Sequence, residues 1–598
     1  MNQFNNGYDG TESKARKFFR VVLGSMLGFI LSMVVMFVLS IFFFIGIAAG
    51  LTQETSTVVK DNSILKIKLA GVINERAQLD PFENTPLAQY ATQLGLRETI
   101  ESLKYAAKDE KIKGISMEIS FISTDYASLK ELRDAIADFK KSGKFVYAYA
   151  DSYSQGAYYL ASVADKICVN RMGGVDLKGL AFQVTFFKGL IDKMDVDVQI
   201  IRHGQFKSAV EPYMLDKMSE ANREQMSLLC STLWQNMLSQ ISESRHIAVP
   251  VLQEVANNLS AVIAQDALKN GIVDEVCLFS EYELKLKQLV GLESADKLNY
   301  ASIKKYKHTT TDMQKNSIAV IYAVGNIVDG KGDETTIGSE TICNDIRKAY
   351  KDENVKAIVM RINSPGGSAM ASEVIWNEIE EAKKMGKVVV TSMSGYAASG
   401  GYYIACNSDK IFAQPNTLTG SIGVFGMIPS FQRMLKSKLG ITTDVVKSNP
   451  HADMSSGRLM DEFEVAKVQA SVEDIYALFT QRVAQGRNMS VARVDSIGQG
   501  RVWAGADALG LGLVDELGSL DDAVLAAAEL AEITDYKIVN YPIQKDWLTQ
   551  LMETNTELKM ERVLRQELGE LYLPYKNLKN FLEAKGVQAK LPFDIVID

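Results

Sequence analysis

The longest apolar run in this chain, Val21 to Leu51, contains no charged residue and is dominated by Val, Leu, Ile, Met and Phe. It is long enough to cross a bilayer with some tilt. Beyond it the pattern changes to short apolar or alternating stretches separated by amphipathic ones. Asn62–Leu69 alternates as a strand, and Asn316–Tyr322 opens a second segment in the same way. Lys113–Ile119 and Lys356–Ile362 read as apolar strands, each followed by an amphipathic helix, over residues 128–141 and 368–385. Both helices stop at a glycine, Gly143 or Gly386, followed by a lysine and another apolar strand.

The parallel continues to the end of each segment. Ala164-Asp165-Lys166-Ile167 answers Ser408-Asp409-Lys410-Ile411, and Asp266-Ala267-Leu268 with Gly271–Glu275 answers Asp507-Ala508-Leu509 with Gly512–Glu516. Order and spacing are kept, so a whole domain is duplicated, and the alternation of strands with helices makes each copy α/β, built from crossover units. Helical segments over 219–245 and 461–487 follow the two cores, and Leu228, Leu229, Leu233, Met237 and Ile241 recur at the spacing of a packing face. The expected organisation is a short N-terminus (1–20), an anchor (21–51), an N-terminal repeat (56–305), a C-terminal repeat (306–540) and an extension (541–598). The apolar ending of the extension, Leu591–Ile597, is predicted to dock as a strand.

Lys14, Arg16, Lys17 and Arg20 precede the apolar run and residues 53–59 contain no basic residue. The positive-inside rule then keeps the N-terminus in the cytoplasm and sends the rest across the membrane. Ala48-Ala49-Gly50 offers the small residues of a signal-peptide cleavage site, but the run is far longer than the core of a signal peptide, which favours a retained anchor.

Composition narrows the function. Hydrophobic residues at 47% and charged ones at 23% are those of an ordinary folded protein. A net charge of -8, with no basic stripe beyond the N-terminal cluster, argues against nucleic acid as a partner. Cys168, Cys230, Cys277, Cys343 and Cys406 are widely spread with no C-x-x-C, and the four histidines form no H-E-x-x-H. The cysteines therefore read as packed thiols, and neither a metal site nor any other cofactor is expected.

One stretch carries candidate chemistry. The apolar run Lys387–Val390 reads as a buried strand, small residues follow, and Ser399 stands just before Gly400-Gly401 and an apolar segment able to form a helix. A serine on such a turn lies near the backbone N–H groups of a helix start, so one side of the turn can supply both a nucleophile and an oxyanion donor. The same turn without chemistry would be an ordinary Ser/Gly helix start.

The two copies differ where that chemistry would sit. In the Asp-Lys-Ile register Ser399 falls opposite Gln155, and in the preceding strand register Asn363–Ser368, with its glycine pair, falls opposite Ser120–Asp125. Both losses are in the first copy. Conversely, Gln205–Pro212 of the first copy faces Asn449–Asp453 of the second, which offers no lysine. A Ser–Lys dyad split between the copies accounts for this reciprocity. A serine needs a base to take its proton, and a lysine serves once a dry setting lowers its pKa. Lys207, between Phe206 and Ala209-Val210, is compatible with such a setting. A solvated surface lysine is the ordinary alternative.

The residues Asn363–Ser368, Ala397–Tyr402, Thr419–Gly423 and Phe206–Pro212 resemble the long, duplicated form of the bacterial signal peptide peptidase A family, also called protease IV. The similarity runs from the anchor to the C-terminus. It implies two tandem copies of a Clp-protease/crotonase-like domain after one N-terminal transmembrane helix, assembled as a membrane-tethered homo-oligomer, a tetramer. It implies Ser399 as nucleophile, Lys207 as general base, Ser421 as the serine that orients the lysine, and the N–H groups around Gly367 and Gly400 as the oxyanion hole. The implied substrates are signal peptides already released and held in the cytoplasmic membrane, along with other apolar peptides, cut on its outer, periplasmic side. The family's usual tyrosine before the lysine is Phe206 here, whose ring is still expected to shield Lys207.

Rival readings are a Ser399–His451 triad completed by Asp453 or Asp409, since triads are recognised by geometry and follow no fixed chain order; a crotonase-type acyl-CoA enzyme, which the anchor argues against; and a non-catalytic membrane scaffold. Fold alone does not choose among them.

Overall fold

The structure, a computed structural model, describes residues 14–51, 59–69, 71–77, 95–303, 306, 314–333, 335–543, 564, 568 and 587–590. The predicted strand at Leu591–Ile597 lies outside the described residues. The first element is a helix, Lys14–Leu51, in which Val21–Ser40 has a mean hydropathy of 2.5 and is exposed along its length. It is long and apolar enough to cross a membrane.

Two sheets of the same strand order follow. In the first, the strands run 275–276, 166–169, 145–150, 112–118, 63–67 and 300–302, all parallel. In the second, 516–517, 410–413, 388–398, 355–364, 317–324 and 537–541 repeat that order, and 418–420 and 502–504 extend it beside the end of 388–398. Parallel strands need crossover helices, and these cover both faces. The helices Tyr126–Lys140 and Ala369–Lys384 pack on one face of their sheets, with Leu129, Leu132 and Ile136 in one core and Ile375, Trp376 and Ile379 in the other. Phe279–Leu289 and Leu520–Leu530 cover the opposite faces, where Tyr282 and Leu286 meet Ile64 and Cys168, and Leu520 and Val524 meet Ile318 and Phe412. The five cysteines are unpaired thiols, all buried except the half-buried Cys230.

The predicted strand at Lys387–Val390 runs further, from Val388 to Ala398. Its second half is buried between 355–364 and 418–420, so the small residues that suggested a turn instead let neighbours approach. At Gly395 a Cβ would stand 2.3 Å from Cγ of Asp125, a residue of the first repeat. Only a glycine leaves room for that carboxyl group.

A third sheet joins the repeats. Its strands run 336–338, 326–328, 366–368, 587–590, 425–430 and 197–202, and the last of these comes from the first repeat. Pairing of 197–202 with 425–430 delivers the chain that follows, residues 203–211, to the C-terminal end of the strand 388–398.

Candidate active site

Ser399 sits between the strand Val388–Ala398 and the helix Gly400–Ala405, with φ 56° and ψ −115°. That conformation is costly for a residue with a Cβ and persists only where its surroundings fix it. They do so here: the Ser399 N–H donates to the Gly420 carbonyl at 2.8 Å, and its carbonyl accepts from the Tyr403 N–H at 2.8 Å. The two glycines after it are required by close approach. A Cβ on Gly400 would lie 2.6 Å from Ser372 Oγ, and one on Gly401 would lie 2.7 Å from the Ser364 carbonyl oxygen. Ser399 is thereby held completely buried at a strained turn.

Lys207 reaches this turn from the first repeat. Its segment is fixed on both sides: the Phe206 N–H donates to the Gln499 carbonyl at 2.9 Å, and Gln225 Nε2 donates to the Phe206 carbonyl at 3.1 Å. Buried Glu211 anchors the next turn by accepting from Ser219 N–H at 3.1 Å and Asn222 Nδ2 at 2.9 Å. The Arg501 guanidinium lies 4.6 Å from the centre of the Phe206 ring and caps it. Gly423 and Gly500 line the lysine's path. A Cβ on Gly423 would stand 3.3 Å from Lys207 Cδ, and one on Gly500, whose φ is +79°, would stand 2.6 Å from Lys207 Cα.

The Lys207 amine ends 2.8 Å from Ser399 Oγ, 3.1 Å from Ser421 Oγ and 3.1 Å from the Ser421 carbonyl oxygen. Lys207, Ser399 and Ser421 are all fully buried. Burial pushes the Lys207 amine well below its ordinary value, and no carboxylate opposes that shift. Its hydrogen-bond partners among the described residues are neutral oxygens, and burial favours the uncharged amine. Ser421 itself has φ 50°, its N–H is tied to the Arg501 carbonyl at 2.7 Å, and its hydroxyl donates to the Gly500 carbonyl at 3.3 Å.

The two glycines of the predicted oxyanion hole come together as well. A Cβ on Gly400 would lie 3.2 Å from the Gly367 nitrogen, and one on Gly366, where φ is +101°, would lie 2.8 Å from the Gly400 nitrogen. The backbone nitrogens of Gly367 and Gly400 therefore lie close together in the turn that carries Ser399. The Ala589 carbonyl oxygen packs against both turns, since a Cβ on Gly366 would lie 2.1 Å from it and one on Gly400 3.3 Å from it.

The residues of the rival triad are not assembled. His451 Nδ1 pairs with Glu464 at 2.9 Å, Asp453 pairs with Lys447 and Arg458, and Asp409 pairs with Lys383. In the first repeat the position opposite Ser399 is a buried amide. Gln155 accepts from the Lys178 and Gly179 N–H groups and donates to the Gly179 carbonyl and Tyr126 hydroxyl. Two groups of metal-ligating type exist among the described residues, Cys168–Glu275–Cys277 and His451–Asp461–Glu464. In the second, Glu464 is already held by Arg458 at 2.6 Å, and a neighbouring cation disfavours a metal ion.

Sequence reasoning missed Gly423, Gly500, Gln225 and Ala589. All four act through backbone approach or second contacts, which leave no spacing signal, although Gly498-Gln499-Gly500 marks a turn.

Residues 138–293 and 381–534 match the model of peptidase family S49, and residues 316–419 match that of Clp protease. The chain is 38% identical over 501 residues to Protease 4 of Salmonella typhi, covering 82% of this chain and 81% of that protein. It is 38% identical over 466 residues to Protease 4 of Haemophilus influenzae, covering 76% and 75%. It is 31% identical over 487 residues to the chloroplastic serine protease SPPA of Arabidopsis thaliana, covering 79% and 70%.

Proposed function

The chain belongs to peptidase family S49 and is a serine peptidase, and from that premise we propose that it works through a Ser399–Lys207 dyad on peptides at a membrane. The observation that carries this reading is the 2.8 Å approach of Lys207 Nζ to Ser399 Oγ, with both side chains fully buried.

The mechanism follows from the charge state. The neutral amine takes the hydroxyl proton as Oγ attacks the carbonyl carbon of the scissile peptide bond. The oxyanion that forms is met by the Gly367 and Gly400 N–H groups. Lys207, now an ammonium, gives its proton to the leaving amine and the bond breaks. Water then attacks the acyl ester with Lys207 again as base. Ser421, whose oxygens both lie 3.1 Å from Nζ, keeps the amine directed at Ser399 through this cycle.

Val21–Ser40 serves as the anchor, with the N-terminus in the cytoplasm and the repeats on the outer side of the cytoplasmic membrane. The substrates are released signal peptides and other apolar peptides, and the working form is a homo-oligomer, a tetramer. The motif resemblance to signal peptide peptidase A supports the substrate class, and the anchor supports the setting.

The test uses the full chain in detergent with a synthetic signal peptide and a polar peptide of equal length. Faster cleavage of the signal peptide, lost in both Ser399→Ala and Lys207→Ala, supports the reading. Full activity in Lys207→Ala refutes the dyad, and equal rates on the two peptides refute the substrate class.

A further inference from the structure

The segment that bears Lys207 and the serine that faces it both lean on one four-residue turn, 498–501. On the lysine side, the Phe206 N–H donates to the Gln499 carbonyl at 2.9 Å, and a Cβ on Gly204 would stand 2.4 Å from that same oxygen. On the serine side, the Ser421 N–H donates to the Arg501 carbonyl at 2.7 Å, the Ser421 hydroxyl to the Gly500 carbonyl at 3.3 Å, and the Gly500 N–H to the Ile422 carbonyl at 2.7 Å. Displacing this turn would therefore move Lys207 and Ser421 together.

The turn is strained. Gln499 has φ 54°, a left-handed conformation that is costly for a residue with a side chain and persists where its surroundings hold it. Buried Tyr476 supplies the hold. From the helix Glu462–Gly486 its hydroxyl accepts the Gln499 N–H at 3.2 Å and donates to Asp495 Oδ1 at 2.6 Å, and Gln499 Nε2 turns back onto the same carboxylate oxygen. The Tyr476 ring also stacks on that of His203, 3.7 Å between centres, and His203 Nδ1 bonds Glu473 at 2.6 Å. His203 lies in the segment that leads from the strand 197–202 to Lys207. Tyr476 thus touches that segment directly at His203 and, through Gln499, at Phe206.

The first repeat shows what the same framework does without a nucleophile. Its helices Glu220–Arg245 and Val249–Asn257 start 242 residues before Glu462–Gly486 and Val491–Ile497, since 462 − 220 and 491 − 249 both give 242. At that offset Trp234 stands for Tyr476, Gln253 for Asp495 and Asn257 for Gln499. The side-chain bonds recur: Trp234 Nε1 donates to Gln253 Oε1 at 2.7 Å, and Gln253 Nε2 to Asn257 Oδ1 at 2.9 Å. An indole N–H only donates, so it cannot receive a backbone N–H. There the helix runs through Asn257, whereas in the second repeat it ends at Ile497, two residues before Gln499. The hydroxyl acceptor and the left-handed turn occur together, in the copy that holds Ser399.

We propose that Tyr476 is a positioning residue for the base: its hydroxyl, held by Asp495, captures the Gln499 N–H and keeps the turn 498–501 in the conformation that sets Lys207 and Ser421 against Ser399. This role rests on the Ser399–Lys207 reading above. It adds to that reading a residue that never touches substrate and acts through the backbone of the turn.

Tyr476→Phe keeps the ring on His203 and deletes the acceptor. In steady-state cleavage of a fluorogenic peptide by the full chain in detergent, kcat should fall at least about tenfold with KM nearly unchanged, because small misplacements at a reacting centre are amplified in rate. The midpoint of the pH dependence of kcat/KM should move up toward 10.5, the ordinary lysine value, as the amine leaves its buried place. Asp495→Leu should do the same, and the double variant should be no worse than either alone, since both act through one turn. Asp495→Asn, which keeps an acceptor for the phenol, should retain most of the rate. Gln253→Leu, the matching change in the first repeat, should leave kcat and the midpoint at the parent's values. A Tyr476→Phe chain with parental kcat and midpoint overturns the proposal. So does a loss of kcat with an unmoved midpoint, or an equal loss in Gln253→Leu, either of which marks a bond that serves stability alone. Lys207→Ala in the same assay keeps the two readings apart: activity there sinks the dyad itself, while an inactive Lys207→Ala beside a fully active Tyr476→Phe sinks only the role of Tyr476.

Discussion

Lys207 Nζ and Ser399 Oγ stand 2.8 Å apart although 192 residues separate them in the chain and they belong to different repeats. Among the described residues no carboxylate bonds either group, so the amine's chemistry is set by burial and by the neutral oxygens of Ser399 and Ser421. A base must be uncharged to accept a proton, which an arginine never is at working pH. Lys207→Ala and Lys207→Arg are both expected to lower kcat by about 100-fold to 10,000-fold, the usual worth of a general base, with KM nearly unchanged. Steady-state cleavage of a fluorogenic peptide measures this, and substantial activity in the arginine variant would mean that another group takes the proton.

The pH dependence of the reaction follows from the same burial. The amine titrates below the ordinary lysine value of 10.5, and the protonated form is inactive. The rate should therefore rise with pH along a single-proton limb and level off well before pH 10.5 is reached. A pH profile of kcat/KM in the unsubstituted chain gives the midpoint. Ser421→Ala leaves the limb in place but frees the amine, so kcat should fall at every pH.

Stability should show the opposite face of this arrangement. The folded chain holds Lys207 neutral where the unfolded chain binds a proton, so the unfolded state carries more protons between the depressed folded pKa and 10.5. Stability then rises with pH through that window, by about 1.4 kcal/mol per pH unit from this residue. Lys207→Met removes the cost. The variant should be more stable than the parent at neutral pH, and the gap should close as pH approaches 10.5. Denaturant midpoints across pH test the sign.

Much of this was legible in the residues. The duplication and its α/β character follow from the repeated order of segments, and the pairing of Ser399 with Lys207 from what each copy keeps and lacks, because a nucleophile and its base are costly to place and leave matching gaps. The length of the strand carrying Ser399 was not legible: Met393–Ala398 looks like a turn until the strands on either side are seen to bury it. The backing of Lys207 by Gly423 and Gly500 was also hidden, since a glycine required by close approach looks the same in sequence as one in any loop. Nor could the strand 587–590 be anticipated, as its partners 366–368 and 425–426 lie far away in the chain.

Gly500 provides a test of that hidden support. Its φ of +79° disfavours any side chain, and a Cβ would meet Lys207 Cα, Cβ and N, each at 2.6 Å. These are backbone and near-backbone atoms with no means of stepping aside. Gly500→Ala should push the lysine off line and lower kcat at least about tenfold, since small misplacements at a reacting centre are amplified in rate. Far-UV circular dichroism should be unchanged, because the third sheet does not include residue 500.

The last prediction concerns what holds the two repeats in register. Arg361, 1% exposed, bonds Glu75 at 2.9 Å and Glu131 at 2.8 Å, both from the first repeat, and reaches Ser392 Oγ at 2.9 Å. Glu75 also accepts from Asn363 Nδ2 at 3.1 Å, while Asn363 Oδ1 accepts from the Tyr396 N–H at 3.1 Å. The network thus grips both strands that lead to the site, one ending before Gly366 and the other before Ser399. Burial pushes the Glu131 carboxyl up, and Arg361 opposes that shift. Arg361→Met would leave two carboxyl groups buried without their cation, a loss of about 3–5 kcal/mol. Adding Glu75→Gln and Glu131→Gln removes the stranded charge and should restore a large part of it. If Arg361→Met shifts the denaturant midpoint no more than an exposed Lys→Met control, the repeats are held together by their apolar contacts alone. If the triple variant recovers stability but not activity, the charges serve to align Asn363 and Tyr396, beyond merely filling the interface.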